Sequence, residues 1–292
     1  MPVMPRQGIR ISTLINHLFP GSRLAYPFMP SEYEITLRLS FFFGIFMLMA
    51  GWEAYAPRRH LTVSKILRWR NNLALTLLNS LILRLVFPIT GTGMAIYAQI
   101  NGWGLFNWAQ APAWLALIVS VILLDLVIYW QHVMMHALPL LWRIHRAHHA
   151  DLDIDVTTGA RFHPLEMLLS MLIKFAAIMI LGAPVLAVLI FEIVLNVMAM
   201  FNHSNIRLPL MLDRILRQLI VTPDMHRVHH SAIRQETNSN YGFNLAIWDK
   251  LFATYRDQPK IGHSHMTIGL SEWRDTALCC RLINILIIPF RK

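Results

Sequence analysis

Two stretches of the chain, RIHRAHHAD at 143–151 and DMHRVHHSA at 224–232, share the pattern H-R-x-H-H. They carry His145, His148 and His149, and then His226, His229 and His230; a further pair, His132 and His136, lies in HVMMH. On a helix, residues three or four apart project from one face. Eight imidazoles therefore arrive on three short helical faces. Neutral imidazole is a ligand for iron, zinc, copper and nickel. One metal ion has too few coordination positions for eight histidines, whereas two ions have enough. A lone histidine at an apolar helix end is ordinarily packed or interfacial, but three clusters at ligand spacing point to metal.

The rest of the chain must hold these side chains, and its composition says where. Of 292 residues, 55% are hydrophobic and 14% are charged, and the mean hydropathy is +0.46. Soluble domains run at about 45–50% apolar and about 25% charged, so the expectation is a membrane protein. The formal net charge is +10, with the basic residues clustered between apolar stretches. That distribution orients a membrane protein and attracts anionic headgroups, and it does not indicate a nucleic-acid partner. Cys279 and Cys280 are adjacent and are the only cysteines, which argues against a disulfide framework or a thiolate site. The opening MPVMPRQGIRISTLINHLFPGS lacks the pattern of a cleaved signal peptide.

Residues 39–56, 73–98 and 113–130 are apolar enough for membrane helices, which need about twenty residues. The second is interrupted by Arg84 and by Pro88, Gly91 and Gly93; the third runs on into His132. Two shorter runs, 165–181 and 185–197, are joined by Gly182-Ala183-Pro184 and read as a hairpin. The fold expected is an all-α integral membrane protein. Four to five membrane-inserted helices, the hairpin among them, carry a cytosolic histidine-rich helical cap, all in one domain over 1–292 with its motif-bearing core at 113–255. The loop at 57–70 and the block at 143–161 are basic, while 99–112 is uncharged. By the positive-inside rule the histidines and the carboxyl end, with Lys292, face the cytoplasm.

H-x(3)-H, H-x(2)-HH and H-x(2)-HH, in this order between apolar hairpins, resemble the fatty acid hydroxylase/sterol desaturase superfamily of membrane-bound non-haem di-iron oxygenases. The resemblance covers residues 124–255, with DLVIYWQHVMMH, WRIHRAHHAD, TTGARFHPLE, FNHS, TPDMHRVHHS and NYGFNLAIWDKLFATY; the amino-terminal third carries no motif. It implies two iron ions, which zinc can replace on overexpression, O2 as co-substrate and a lipid or sterol-like substrate taken from the bilayer. It also implies a separate electron donor of ferredoxin, cytochrome b5 or reductase type, and a bacterial inner membrane or ER-type membrane. The reaction implied is hydroxylation or desaturation of an unactivated C–H bond. Relatives add histidines between the second and third boxes, and His163 and His203 are the candidates here. His163 instead could cap the helix it precedes. Arg207 stands where some relatives carry another histidine.

Two other classes compete. A metal store or transporter would hold its ligands at mid-membrane, not at span ends, and a b-type haem carrier does not account for two H-x(2)-HH triplets. His263 and His265 lie apart from the motifs and read as surface or lid residues, and His17 and His60 carry no signal. Asp125, Tyr129, His132 and His136 share a helical face. Asp125 either orients a metal-bound imidazole, as carboxylates do, or pairs with Arg84. Lys174 and Glu192 lie eight residues either side of the hairpin turn, so they come level and should pair; the alternative has Glu192 facing the metal through Asn196 and His203. Asp151, Asp153 and Asp155 read as solvated acids.

Overall fold

The computed structural model describes residues 31–291; the amino-terminal segment with His17, and Lys292, lie outside the described residues. Residues Leu37–Lys292 form one compact unit. Of the separate unit Met1–Thr36, only 31–36 are described, as the start of a helix. The described residues form helices and isolated bridges, with no strand among them.

The long elements are α1 (Ser31–Tyr55), α2 (Lys65–Val86), α3 (Gly91–Ile100), α4 (Ala113–Ala137), α5 (Pro139–His149), α6 (Pro164–Leu181) and α7 (Val185–His203), followed by the short α8 (Pro223–His229). Five stretches are long and apolar enough to cross a membrane, as the sequence predicts: Tyr33–Tyr55, Lys65–Trp108, Ala113–Ala137, Pro164–Leu181 and Val185–His203. The second is broken where the sequence breaks it. Phe87, ahead of Pro88, is extended, as residues before proline tend to be, and the Thr90 hydroxyl accepts from Gly93 N to start α3. Leu77, Leu81 and Leu85 on α2 are exposed, as a lipid-facing stripe would be.

The hairpin turns at Gly182, which holds φ +64 at the end of α6, the left-handed cap that glycine supplies without cost. The turn packs so closely on Gly104 that a Cβ there would lie 2.1 Å from Gly182 N. Leu124, Ile128, Ile178, Val188 and Phe191 fill the space between α3, α4, α6 and α7. Both hairpin arms and α4 thus end at one level, at His136, His163 and His203.

Charges inside this apolar frame are paired. Lys174 Nζ lies 3.4 Å from Glu192 Oε1, as the hairpin register predicts, and Arg38 from α1 is closer, at 2.7 Å. The alternative, Glu192 directed at the metal site, is set aside. Below the spans, Arg68 on α2 is fully buried. It donates to both oxygens of Asp151 at 2.7 and 2.8 Å, and to Asp155, Asp153 O and Thr158 Oγ1. Asp153 accepts from the backbone of Thr62 and Val63. The expectation of three solvated acids is therefore wrong: all three are buried, Asp151 and Asp155 against a cation some eighty residues earlier in the chain and Asp153 against backbone amides. Burial alone would raise the Asp151 carboxyl, but Arg68 and Arg161 beside it bring it down to about 2.

Removing one partner of a buried charge cluster costs about 3–5 kcal/mol. Arg68→Met should show this as a markedly earlier thermal transition of the solubilised protein, while Arg70→Met, on the exposed face, should leave the transition near wild type. Glu192→Gln removes the counter-charge of two cations and should destabilise more than Lys174→Met, which leaves Arg38 on the carboxylate; equal effects would contradict the shared pairing.

Candidate metal centre

α4 ends in His132 and His136, and Pro139, tolerated in a first helical turn, starts α5 at once. α5 presents His145, His148 and His149. α7 ends in His203. Thr222 caps α8 by accepting from Met225 N, a helix start that Ser and Thr favour, and fixes the turn that carries His226, His229 and His230. Gly159 lets the turn before α6 approach α7: a Cβ there would sit 2.3 Å from Ala199 O.

These elements bring nine histidines into two groups. His132, His136, His145, His149 and His229 form one; His148, His203, His226 and His230 form the other. Within each group the potential ligand atoms all lie within 4.8 Å of one another.

The hydrogen bonds say which nitrogen faces inward. Nδ1 donates to Tyr241 O from His132 (2.8 Å), to Arg161 O from His148 (3.0 Å), to Ala199 O from His203 (2.7 Å) and to Ser239 O from His229 (2.7 Å). A carbonyl only accepts, so these four rings carry their proton on Nδ1 and a lone pair on Nε2. His145 Nδ1 donates to Glu166 Oε1 at 2.7 Å, and His136 Nδ1 pairs with Asn238 Oδ1 at 3.2 Å. Carbonyl or carboxylate partners on the outer nitrogen are the support that metal-bound histidines ordinarily have. Buried Nε2 atoms of His132, His136, His145, His149, His229 and His230 have no hydrogen-bond partner. In the second group, Nε2 of His148 and of His203 lie 3.1 Å apart, two lone pairs facing each other. Burial, reinforced by neighbouring rings, holds His148, His149, His226, His229 and His230 well below the usual histidine range, in the neutral state coordination needs. An all-imidazole set with inward lone pairs fits iron or zinc.

A cavity of about 460 Å³ adjoins the groups, with His132, His145, His148 and His226 in its wall. Leu83, Phe87, Ile128, Met135, Met171 and Leu195 give it an apolar lining. That volume lies within the range of small-molecule sites.

Nine of the ten expected ligands are thus brought together, and His163 is not. Its Nδ1 accepts from Leu165 N at 3.2 Å and its Nε2 donates to Leu286 O at 3.2 Å. Both ring nitrogens are spent on capping α6 and on the carboxyl-terminal segment, the alternative the sequence left open. Asp125 takes neither of its expected roles. Its Oδ2 accepts from Trp248 Nε1 at 2.8 Å and Leu245 N at 3.2 Å, pinning the loop after α8 against α4. The carboxylate that does orient an imidazole is Glu166, which the sequence reading passed over. The signal was present: in HPLE it follows the helix-starting histidine at capping-box distance. Of the outlying histidines, His265 and His60 are exposed, but His263 is buried, 3.6 Å from Asp224.

A model of the fatty acid hydroxylase family matches residues 117–254. The ornithine lipid hydroxylase OlsE of Rhizobium tropici is 30% identical over 151 residues, 52% of this chain and 45% of that protein. The alkylglycerol monooxygenase of Homo sapiens is 29% identical over 156 residues, 52% of this chain and 33% of that protein. Its Xenopus tropicalis counterpart is 26% identical over 194 residues, 64% and 41% of the two chains. The chain spans less than half the length of each of these relatives. No solved structure matches. The segment 117–254, which contains all nine clustered histidines, is a fatty acid hydroxylase domain.

Proposed function

We propose that the protein is a membrane-bound non-haem di-iron oxygenase that uses O2 to hydroxylate, or desaturate, an unactivated C–H bond of a lipid or sterol-like molecule. The observation that carries this reading is the pair of buried histidine groups at one end of an apolar cavity, six of whose rings bond outward through Nδ1 and so turn Nε2 inward. One ion would be held by His132, His136, His145, His149 and His229, and the other by His148, His203, His226 and His230. Two irons would supply the electrons and oxygen activation that attack on a strong C–H bond requires. The protein's own part is to fix each ring. Glu166 holds the proton of His145 Nδ1, backbone carbonyls hold those of His132, His148, His203 and His229, and Phe162 stacks on His148 with centroids 4.5 Å apart. The apolar lining excludes water and positions an alkyl chain against the histidine end. Hydroxylation is favoured over desaturation because the similar proteins are named as hydroxylases and monooxygenases. A separate electron donor of ferredoxin, cytochrome b5 or reductase type would dock on the histidine side. By loop charge that side is cytoplasmic, in a bacterial inner membrane or an ER-type membrane.

Protein purified from iron-supplemented cells should contain about two metal ions per chain. His149→Ala should lose ions from the first group and His148→Ala from the second. Metal content untouched by either substitution would refute the assignment, while zinc in place of iron would not. With reductant, isotopically labelled O2 and a lipid extract, wild type should place label in a lipid and His229→Ala should not; an extract with no labelled lipid would end the oxygenase reading. The orientation is tested separately. Cys279 and Cys280 are buried, so cysteines introduced at exposed Asn101 and Ser271 report alone. An impermeant maleimide should reach Asn101→Cys in intact cells, and Ser271→Cys only after permeabilisation; the reverse would invert the topology.

A further inference from the structure

The cavity has a second end that the metal reading does not use. Arg38, Arg84, Lys174 and Glu192 line it together with Thr90 and Asn196. Glu192 sits against the start of α3, where a Cβ on Gly91 would meet its Oε1 at 2.6 Å. Arg38 is its close partner at 2.7 Å and Lys174 its looser one at 3.4 Å. Arg84 lines the same cavity and makes no ion pair with any described residue. A structural lock needs one cation for one carboxylate. Here two cations share a single carboxylate, and a third, Arg84, lines the same cavity without one. Intramembrane charges cost free energy and tend to mark function.

The depth of this end follows from two helices independently. Lys174 stands ten residues beyond Pro164 on α6, and Glu192 stands eleven before His203 on α7. At about 1.5 Å rise per residue, both lie about 15 Å from the histidine level. The path between runs past Met171, Met167 and Leu195 and on to Met135, with no charge until Glu166 beside the histidines.

We propose that Arg84 and Lys174 bind the anionic head, phosphate or carboxylate, of a long-chain lipid and so set which carbon reaches the histidine end. Guanidinium and ammonium groups are suited to such oxyanions. An extended chain covers about 1.2 Å per bond, since three backbone bonds span about 3.3–3.6 Å, so the carbon presented lies about twelve bonds from the head. This deepens the oxygenase reading and rests on it for the chemistry, but binding and chain position are measurable without metal or turnover.

The probe is hexadecyl phosphate carrying a diazirine about twelve bonds from phosphorus, with hexadecanol bearing the same group as the uncharged partner. Wild-type protein in detergent should bind the phosphate about tenfold tighter than the alcohol, the scale of one hydrogen bond to a charged group. Photolysis should link it to residues at the histidine end, Met135 and Phe162 among them. Arg84→Gln and Lys174→Met should each lose the preference and scatter the crosslinks, Arg84→Lys and Lys174→Arg should retain both, and thermal unfolding identifies any variant that fails to fold. Millimolar inorganic phosphate should not displace the probe; displacement would make this a free-anion site and overturn the chain-positioning role. Equal binding of phosphate and alcohol, or a preference surviving both neutral substitutions, would overturn the proposal. Loss of oxygenation by His229→Ala with binding intact would leave it standing.

Discussion

The structure is organised around the cost of bringing unprotonated ring nitrogens together in a dry interior. Four rings are committed by backbone carbonyls to protons on Nδ1, so their Nε2 lone pairs converge with those of their neighbours. Protonating them would place positive charges within a few ångströms of each other in a site that burial already disfavours for charge. One cation in each group would satisfy that group's lone pairs. The surrounding architecture fixes the rings from outside: Glu166 at the foot of α6, Ala199 on α7, Tyr241 and Ser239 in the loop after α8.

That loop and the segment after α5 are themselves held by buried charge. Arg68 gathers Asp151 and Asp155, Arg161 donates to Ala147 O and Cys279 O, and Asp249 accepts from the amides of Tyr241 and Gly242. Asp151 follows His149 by two residues and Tyr241 O accepts from His132, so one network ends two residues from a clustered ring and the other a single hydrogen bond from one. Apolar packing alone does not define direction to the accuracy a metal shell needs. Buried ionic networks supply direction at the expense of desolvation. The same logic in the bilayer gives the Arg38–Glu192–Lys174 cluster, where an apolar helix trio would suffice for cohesion.

Much of this was legible in the sequence because it is periodic or local. Spans follow from apolar length, the α2–α3 break from Pro88, the hairpin from Gly182 to Pro184, and the Lys174–Glu192 level from counting residues out of that turn. The histidine spacing identified eight of the nine clustered rings, and His203 came from the resemblance. What was missed depends on long-range placement. Asp151, Asp153 and Asp155 look like a hydrophilic loop until Arg68, some eighty residues earlier, is brought onto them. Asp125 lies on the face of His132 and His136, which made it a natural orienting group, yet Trp248 takes it. His163 and Glu166 stand three residues apart, and only the tertiary fold decides that the carboxylate, not the imidazole, reaches the metal side.

X-ray absorption at the metal edge, on protein loaded with iron or zinc, addresses the two histidine groups most directly. The account predicts a first shell dominated by imidazole nitrogens at about 2.0–2.1 Å for zinc, with the outer-ring scattering of several histidines per ion and no sulfur. A shell of mainly oxygen or sulfur ligands, or metal bound without ring scattering, would contradict it.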